Sequence, residues 1–191
     1  MTKTIFLIPG FKTQIADVTY RWLITYLESK NYIVYPVPIT WSNKTITQNA
    51  QEFLDFFESK NVQNSYILGF SYGAIIALTT ATKTAPKKLI LCSLSPDFLE
   101  DAAAMSDWHK SYIGDRRYAD VATRSAVELA TSLQSNTVLF CGEKEGADYP
   151  QLQIRSQETA KLAQYAKLIM VENAPHDISF PTYQEAIKRE L

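Results

Sequence analysis

Short runs of apolar, β-branched and aromatic residues alternate along the chain with longer stretches in which apolar side chains return every three or four positions. The six runs are Thr4 to Ile8, Tyr32 to Val37, Ser65 to Phe70, Lys88 to Cys92, Thr137 to Cys141 and Lys167 to Val171. Strands alternating with helices predict βαβ units and a largely parallel sheet. Between the first two runs, Tyr20, Leu23, Ile24 and Leu27 form one apolar helix face, with Asp17 placed to cap it. Between the second and third, Ile46, Ala50, Phe53, Leu54 and Phe57 repeat the pattern. Tyr72 to Lys83 is apolar on most sides before Pro86 stops it, which predicts the most buried helix. Gln151 to Tyr165 reads as a weaker amphipathic helix, and Thr182 to Leu191 sets Tyr183, Ile187 and Leu191 on one stripe.

One region breaks the alternation. Residues 97 to 135 hold no clear strand and are helical in composition, in EDAAAMSDWHKSY and again in RYADVATRSAVELATSL. An insertion after a strand's carboxyl end would overhang the edge where parallel sheets bind ligands, as a lid or pocket wall, or serve as a crossover with extra helix. The expected architecture is α/β, a six-stranded, mainly parallel sheet with helices on both faces. At 191 residues the chain accommodates one domain, here residues 1 to 191 with 97 to 135 as its insertion.

Composition narrows the function classes. Hydrophobic residues make up 46% of the chain, charged residues 20%, and the net charge is -1, so neither disorder nor a basic nucleic-acid surface is expected. The doublets Lys87-Lys88 and Arg116-Arg117 read as solvated surface. The first apolar stretch is far shorter than a membrane span and ends at Pro9-Gly10, so it reads as a strand rather than a signal or anchor. The expected compartment is the cytoplasm, where Cys92 and Cys141, each at the end of an apolar run, are buried thiols with no need of a disulfide. No Cys/His cluster has metal-ligand spacing, and no cofactor is called for.

The chemistry gathers at Gly69-Phe70-Ser71-Tyr72-Gly73, which fits G-x-S-x-G with a predicted strand before it and a helix after. Such a turn exposes a serine hydroxyl at the sheet's end and aims the first free N–H groups of the helix, that of Tyr72 among them, at a developing oxyanion. A serine nucleophile needs a base. His176 lies in a loop just after the last predicted strand, on the same edge as Ser71, whereas His109 lies in the insertion beside Trp108. The base in turn needs an acid. Glu145 has the reach of a loop side chain beyond the fifth strand; Asp148 is the commoner residue type but lies farther along; Asp97 follows the fourth strand. Trp41, Met105 and Trp108 are candidates to line an apolar acyl pocket.

With Ser71, an acid and His176 in that chain order, the sequence resembles the α/β-hydrolase superfamily over nearly its entire length, as a small serine-hydrolase member. The resemblance implies strand order 2-1-3-4-5-6. It also implies that IPGF at residues 8 to 11 forms the loop after an early strand, whose Phe11 N–H completes an oxyanion hole with Tyr72. Pro9 stands where histidine is common, but the donor follows Gly10 and is kept. The implied activity is hydrolysis of a carboxylic ester, with thioester and amide open, on a modest, partly apolar small molecule. The alternative is a hydrolase-like protein that binds without catalysis.

Overall fold

The computed structural model describes residues 3 to 191. Six strands form one sheet in the order β2-β1-β3-β4-β5-β6, every neighbouring pair parallel. They are β1 (Lys3–Ile8), β2 (Tyr32–Pro36), β3 (Tyr66–Phe70), β4 (Lys88–Cys92), β5 (Asn136–Gly142) and β6 (Ala166–Val171). The predicted α/β class and strand order are those observed, with ends that differ by a residue or two.

Alternation across the pleat divides the core in two. Phe6 and Ile8 of β1, Ile67 of β3 and Leu89 and Leu91 of β4 face one layer; Ile5, Leu7, Leu68, Ile90 and Cys92 face the other. The first layer is closed by α2 (Ile46–Ser59) and α3 (Tyr72–Thr84), the second by α1 (Val18–Ser29), whose Tyr20, Leu23 and Leu27 are buried. A strand covered on both faces has no reason to alternate polar with apolar, which explains the near-continuous runs in the sequence. Asp17 sits at the N-cap of α1, yet its carboxylate accepts from the Gln14 N–H 2.8 Å away instead of capping the helix. Thr45 and Gln48 build a full capping box on α2.

Residues 97 to 135 contain a 3-10 turn (Leu99–Ala104), then α4 (Asp107–Ile113), α5 (Asp115–Val121) and α6 (Ala126–Ser132). After β5 come the single turn α7 (Glu145–Asp148) and α8 (Pro150–Leu162), which packs beside α6; α9 (Pro181–Lys188) follows β6 and buries Tyr183 and Ile187 in the second layer. The chain leaves β1 first toward β2 and later toward β3, so the strand order reverses at β1. The carboxyl ends of β1 and β3 therefore flank a crevice. Among the described residues no helix is long and apolar enough to cross a membrane.

Candidate active site

Ser71 sits at that crevice with φ 56° and ψ -118°, a left-handed backbone that costs a non-glycine residue about 1–3 kcal/mol. Its own N–H is held by the Cys92 carbonyl at 2.8 Å, and its carbonyl accepts from Ala74 at 2.9 Å as α3 begins. The two glycines of the motif serve the close approach of strand to helix. A Cβ on Gly69 would lie 2.2 Å from the Gly73 carbonyl oxygen, and one on Gly73 would lie 2.3 Å from that of Ile8. No side chain fits at either position, so β3 can turn directly into α3 against β1.

The Ser71 hydroxyl meets two groups. His176 Nε2 lies 3.1 Å from Oγ, and Ser95 Oγ, just beyond the carboxyl end of the neighbouring β4, also lies 3.1 Å from it. His176 stands in the loop between β6 and α9, its ring tilted over Phe70 at 5.0 Å. That loop is pinned to the end of β5: Lys144 N–H donates to the Ala174 carbonyl at 3.1 Å, and Asn173 N–H to the Glu143 carboxylate at 3.0 Å. Gly142 permits the contact, since a Cβ there would lie 2.3 Å from the Ala174 oxygen.

Glu145, at the start of α7, is the carboxylate brought to His176, with Oε2 3.7 Å from Nδ1, an ion-pair distance longer than a hydrogen bond. The Glu145 side chain is fully buried. Its Oε1 accepts the Ser93 hydroxyl at 2.5 Å, and the Cys141 thiol lies 3.6 Å from Oε2. Ser93 Oγ is 2.8 Å from the Tyr183 hydroxyl, whose oxygen also lies 3.1 Å from the Phe140 carbonyl. Burial, then the neighbouring Glu145 charge, pushes the Cys141 thiol up to about 12, so it remains a neutral S–H donor. Burial and then charges including that of Glu145 likewise raise the Tyr183 hydroxyl well above its usual value.

The other acid candidates stand elsewhere. Asp97 is fully buried and pairs with His109, Oδ1 to Nε2 at 2.9 Å, rather than with His176. The side chain of Asp148 lies outside the described residues. Neither the Phe11 nor the Tyr72 N–H donates to a protein acceptor among the described residues, and both residues border a cavity of about 730 Å³ that opens on Ser71. Rings of Phe11, Phe70, Tyr72, Trp108, Tyr112 and Tyr149 line it, together with Ser95, Ser106, His109, Glu145 and His176.

Two of the three pocket expectations require correction. Trp41 lies behind the lining: it is buried, donates its indole N–H to the Thr13 carbonyl at 2.8 Å and meets Phe11 and Tyr72 edge-on. Met105 is buried in the first core layer and does not reach the cavity. Trp108 does line it, stacked on Tyr112 at 5.3 Å, but remains 72% exposed at the rim. Sequence reasoning missed Ser93, Ser95 and Cys141. Their signal is position alone: each lies at the carboxyl end of a strand adjoining Ser71 or Glu145.

Half of each basic doublet is engaged internally, Lys88 by Glu190 at 3.1 Å and Arg117 by the Trp41 carbonyl and the face of Phe11. Among the described residues no three His, Cys, Asp or Glu side chains gather as metal ligands would.

No protein-family model and no curated protein matches the chain. Solved structures do match. Est1E from Butyrivibrio proteoclasticus, in a complex with ferulic acid, superposes with a TM-score of 0.80 at 13% identity, covering 98% of this chain and 86% of that one. An enol-lactonase from Burkholderia xenovorans gives 0.70 at 16% identity, covering 100% and 90%. An esterase from Pyrococcus furiosus gives 0.71 at 14%, covering 98% and 78%. The fold is therefore that of the α/β-hydrolases, as the sequence resemblance implied.

Proposed function

We propose that the protein is a serine hydrolase that cleaves a carboxylic ester through an acyl-enzyme. The observation that carries the reading is the strained Ser71, whose hydroxyl lies 3.1 Å from an imidazole nitrogen whose ring is backed by a buried carboxylate. The Glu145 carboxylate, 3.7 Å from Nδ1 of His176, favours the proton on that nitrogen, which leaves Nε2 as the base for Ser71. Ser71 Oγ attacks the acyl carbonyl, and its proton passes to Nε2 as the tetrahedral oxyanion forms. The N–H groups of Phe11 and Tyr72 stabilise that charge, and losing one such donor typically costs about 3 kcal/mol. His176 then protonates the leaving oxygen; water, activated by the same nitrogen, releases the acid and restores Ser71.

The cavity volume suits a small molecule, and its lining of six aromatic rings suits an apolar group. The segment 97 to 135 supplies one wall through Ser106, Trp108, His109 and Tyr112. Ester cleavage is chosen over thioester or amide because the like-folded proteins include an esterase and an enol-lactonase.

The test is labelling with a fluorophosphonate probe, together with hydrolysis of p-nitrophenyl esters. The unaltered protein is expected to label and turn over, and Ser71→Ala and His176→Ala to lose at least about a thousandfold in kcat. A folded, unaltered protein that neither labels nor turns over any ester would overturn the reading in favour of a non-catalytic binding protein.

A further inference from the structure

A second histidine–carboxylate pair brings its histidine to the cavity that holds Ser71, and the proposed reaction makes no use of it. Asp97 follows β4, and His109 stands on α4. Asp97 is fully buried, His109 is its one hydrogen-bond partner among the described residues, and its Oδ2 has none. A carboxylate only accepts, so the 2.9 Å contact places the His109 proton on Nε2 and directs the lone pair to Nδ1. Nδ1 has no protein partner among the described residues, and the ring borders the cavity.

The ring is also fixed in place. It stacks on Tyr149 at 5.4 Å and 17°, Trp108 meets it edge-on at 6.3 Å, and the backbone N–H of His109 is capped by Ser106 Oγ at 3.2 Å. A clamped ring with a free acceptor, at the border of a mainly aromatic cavity, favours a ligand that brings a donor and disfavours one that leaves the acceptor unpaired.

We propose that His109, oriented by Asp97, is a specificity-determining acceptor for a hydroxyl carried by the substrate away from the scissile carbonyl, on either arm of the ester. The substrate class is then a hydroxylated ester rather than a plain alkyl one. The inference rests on the hydrolase reading given above.

Two panels test it: p-nitrophenyl esters of ω-hydroxy acids from hexanoate to decanoate, and ω-hydroxyalkyl butanoates of the same chain lengths. Each is compared with its ω-methoxy partner, in which a methyl group replaces the donor hydrogen, and with the hydroxyl member one carbon longer, which matches that size. The unaltered protein is expected to favour the hydroxyl member by about tenfold in kcat/KM at the chain length that spans the cavity. His109→Phe, which keeps the stack on Tyr149 but removes both nitrogens, is expected to bring that ratio to about one. His109→Leu takes its place if circular dichroism shows the phenylalanine variant misfolded. Turnover without preference at any length, a preference that survives in the variant, or an equal loss on both members would each overturn the assignment. The last outcome would mean that the pair only latches α4 to the sheet edge. Absence of both turnover and probe labelling would instead mark the failure of the hydrolase reading.

Discussion

Ser93 and Ser71 follow the ends of neighbouring strands, each with an unfavourable positive φ, 52° and 56°. At Ser71 the strain lifts a hydroxyl into the crevice; at Ser93 it turns one inward, to a carboxylate. The bond to Glu145 Oε1 holds a buried charge in the orientation that faces His176, and a hydrogen bond to a charged group is worth about 1.5–3 kcal/mol. In the proposed reaction Ser93 is thus a positioning residue. Ser93→Ala is expected to lower kcat for ester hydrolysis by about ten- to a hundredfold with KM little changed. An equal rise in KM, or no effect, would speak against the role. That Ser71, His176 and Glu145 meet could be read from the sequence because motif, loop placement and reach each constrained one of them. Ser93 could not, because its importance exists only through the pairing of β4 with β5, where its N–H meets the Phe140 carbonyl at 2.7 Å. Asp97 and His109 were both visible as candidates for the Ser71 site, yet they meet each other, a pairing made by the turn between them that no spacing rule anticipates.

At the scale of elements, the β3–α3 junction concentrates the constraint. Gly69 and Gly73 allow three backbones to touch, so Gly69→Ala must push α3 away from β3. The atom met is backbone and cannot rotate aside, and overpacking of this kind costs about 1–3 kcal/mol or more. Urea unfolding should show that loss, along with reduced fluorophosphonate labelling as the Tyr72 N–H and Ser71 move together. Gly114→Ala serves as a comparison: there a Cβ meets open space and only the positive φ of 83° opposes it, so labelling should be unaffected. Strands and long helices were legible because burial on both faces, or on one stripe, leaves a periodic record. The three short helices between β4 and β5 left none. Each is seven residues long, too short for the pattern to repeat, and each is fixed by contacts outside itself: His109 to Asp97 at 2.9 Å, the Thr47 N–H to Asp120 at 3.1 Å and the Ala126 N–H to Glu100 at 2.9 Å. The pocket expectation failed at this scale as well: Trp41 and Met105 are apolar in the right neighbourhood, and sequence does not say which side of Phe11 and Tyr72 an apolar ring will occupy.

Across the whole molecule, two buried carboxylates at the carboxyl edge of the sheet, Glu145 and Asp97, shape the titration of their surroundings. Burial first, and the Glu145 charge among the other causes, raises Cys92, Cys141 and Tyr183; burial first and Asp97 next raises Tyr72, and Tyr149 to about 12. All five stay neutral in the fold at pH values where the unfolded chain has begun to lose those protons. Above about pH 9 the unfolded state binds fewer protons than the native one, so stability falls as pH rises, by up to about 1.4 kcal/mol per pH unit for each fully shifted group. The contribution is complete below the ordinary cysteine value of 9.0 and is lost on the way to the raised native value of about 12 for Cys141. Urea midpoints are expected to hold steady between neutrality and pH 9, then decline steeply. Cys141→Ala removes one such group: it should cost stability at neutral pH through the lost packing and thiol donor, yet flatten the alkaline decline. A midpoint that stays level through pH 10.5 in the unaltered protein, or a decline of the same slope in the variant, would contradict the argument. The alkaline limit of the fold is then set first by the burial of these five groups and next by the two carboxylates that face the histidines of the cavity.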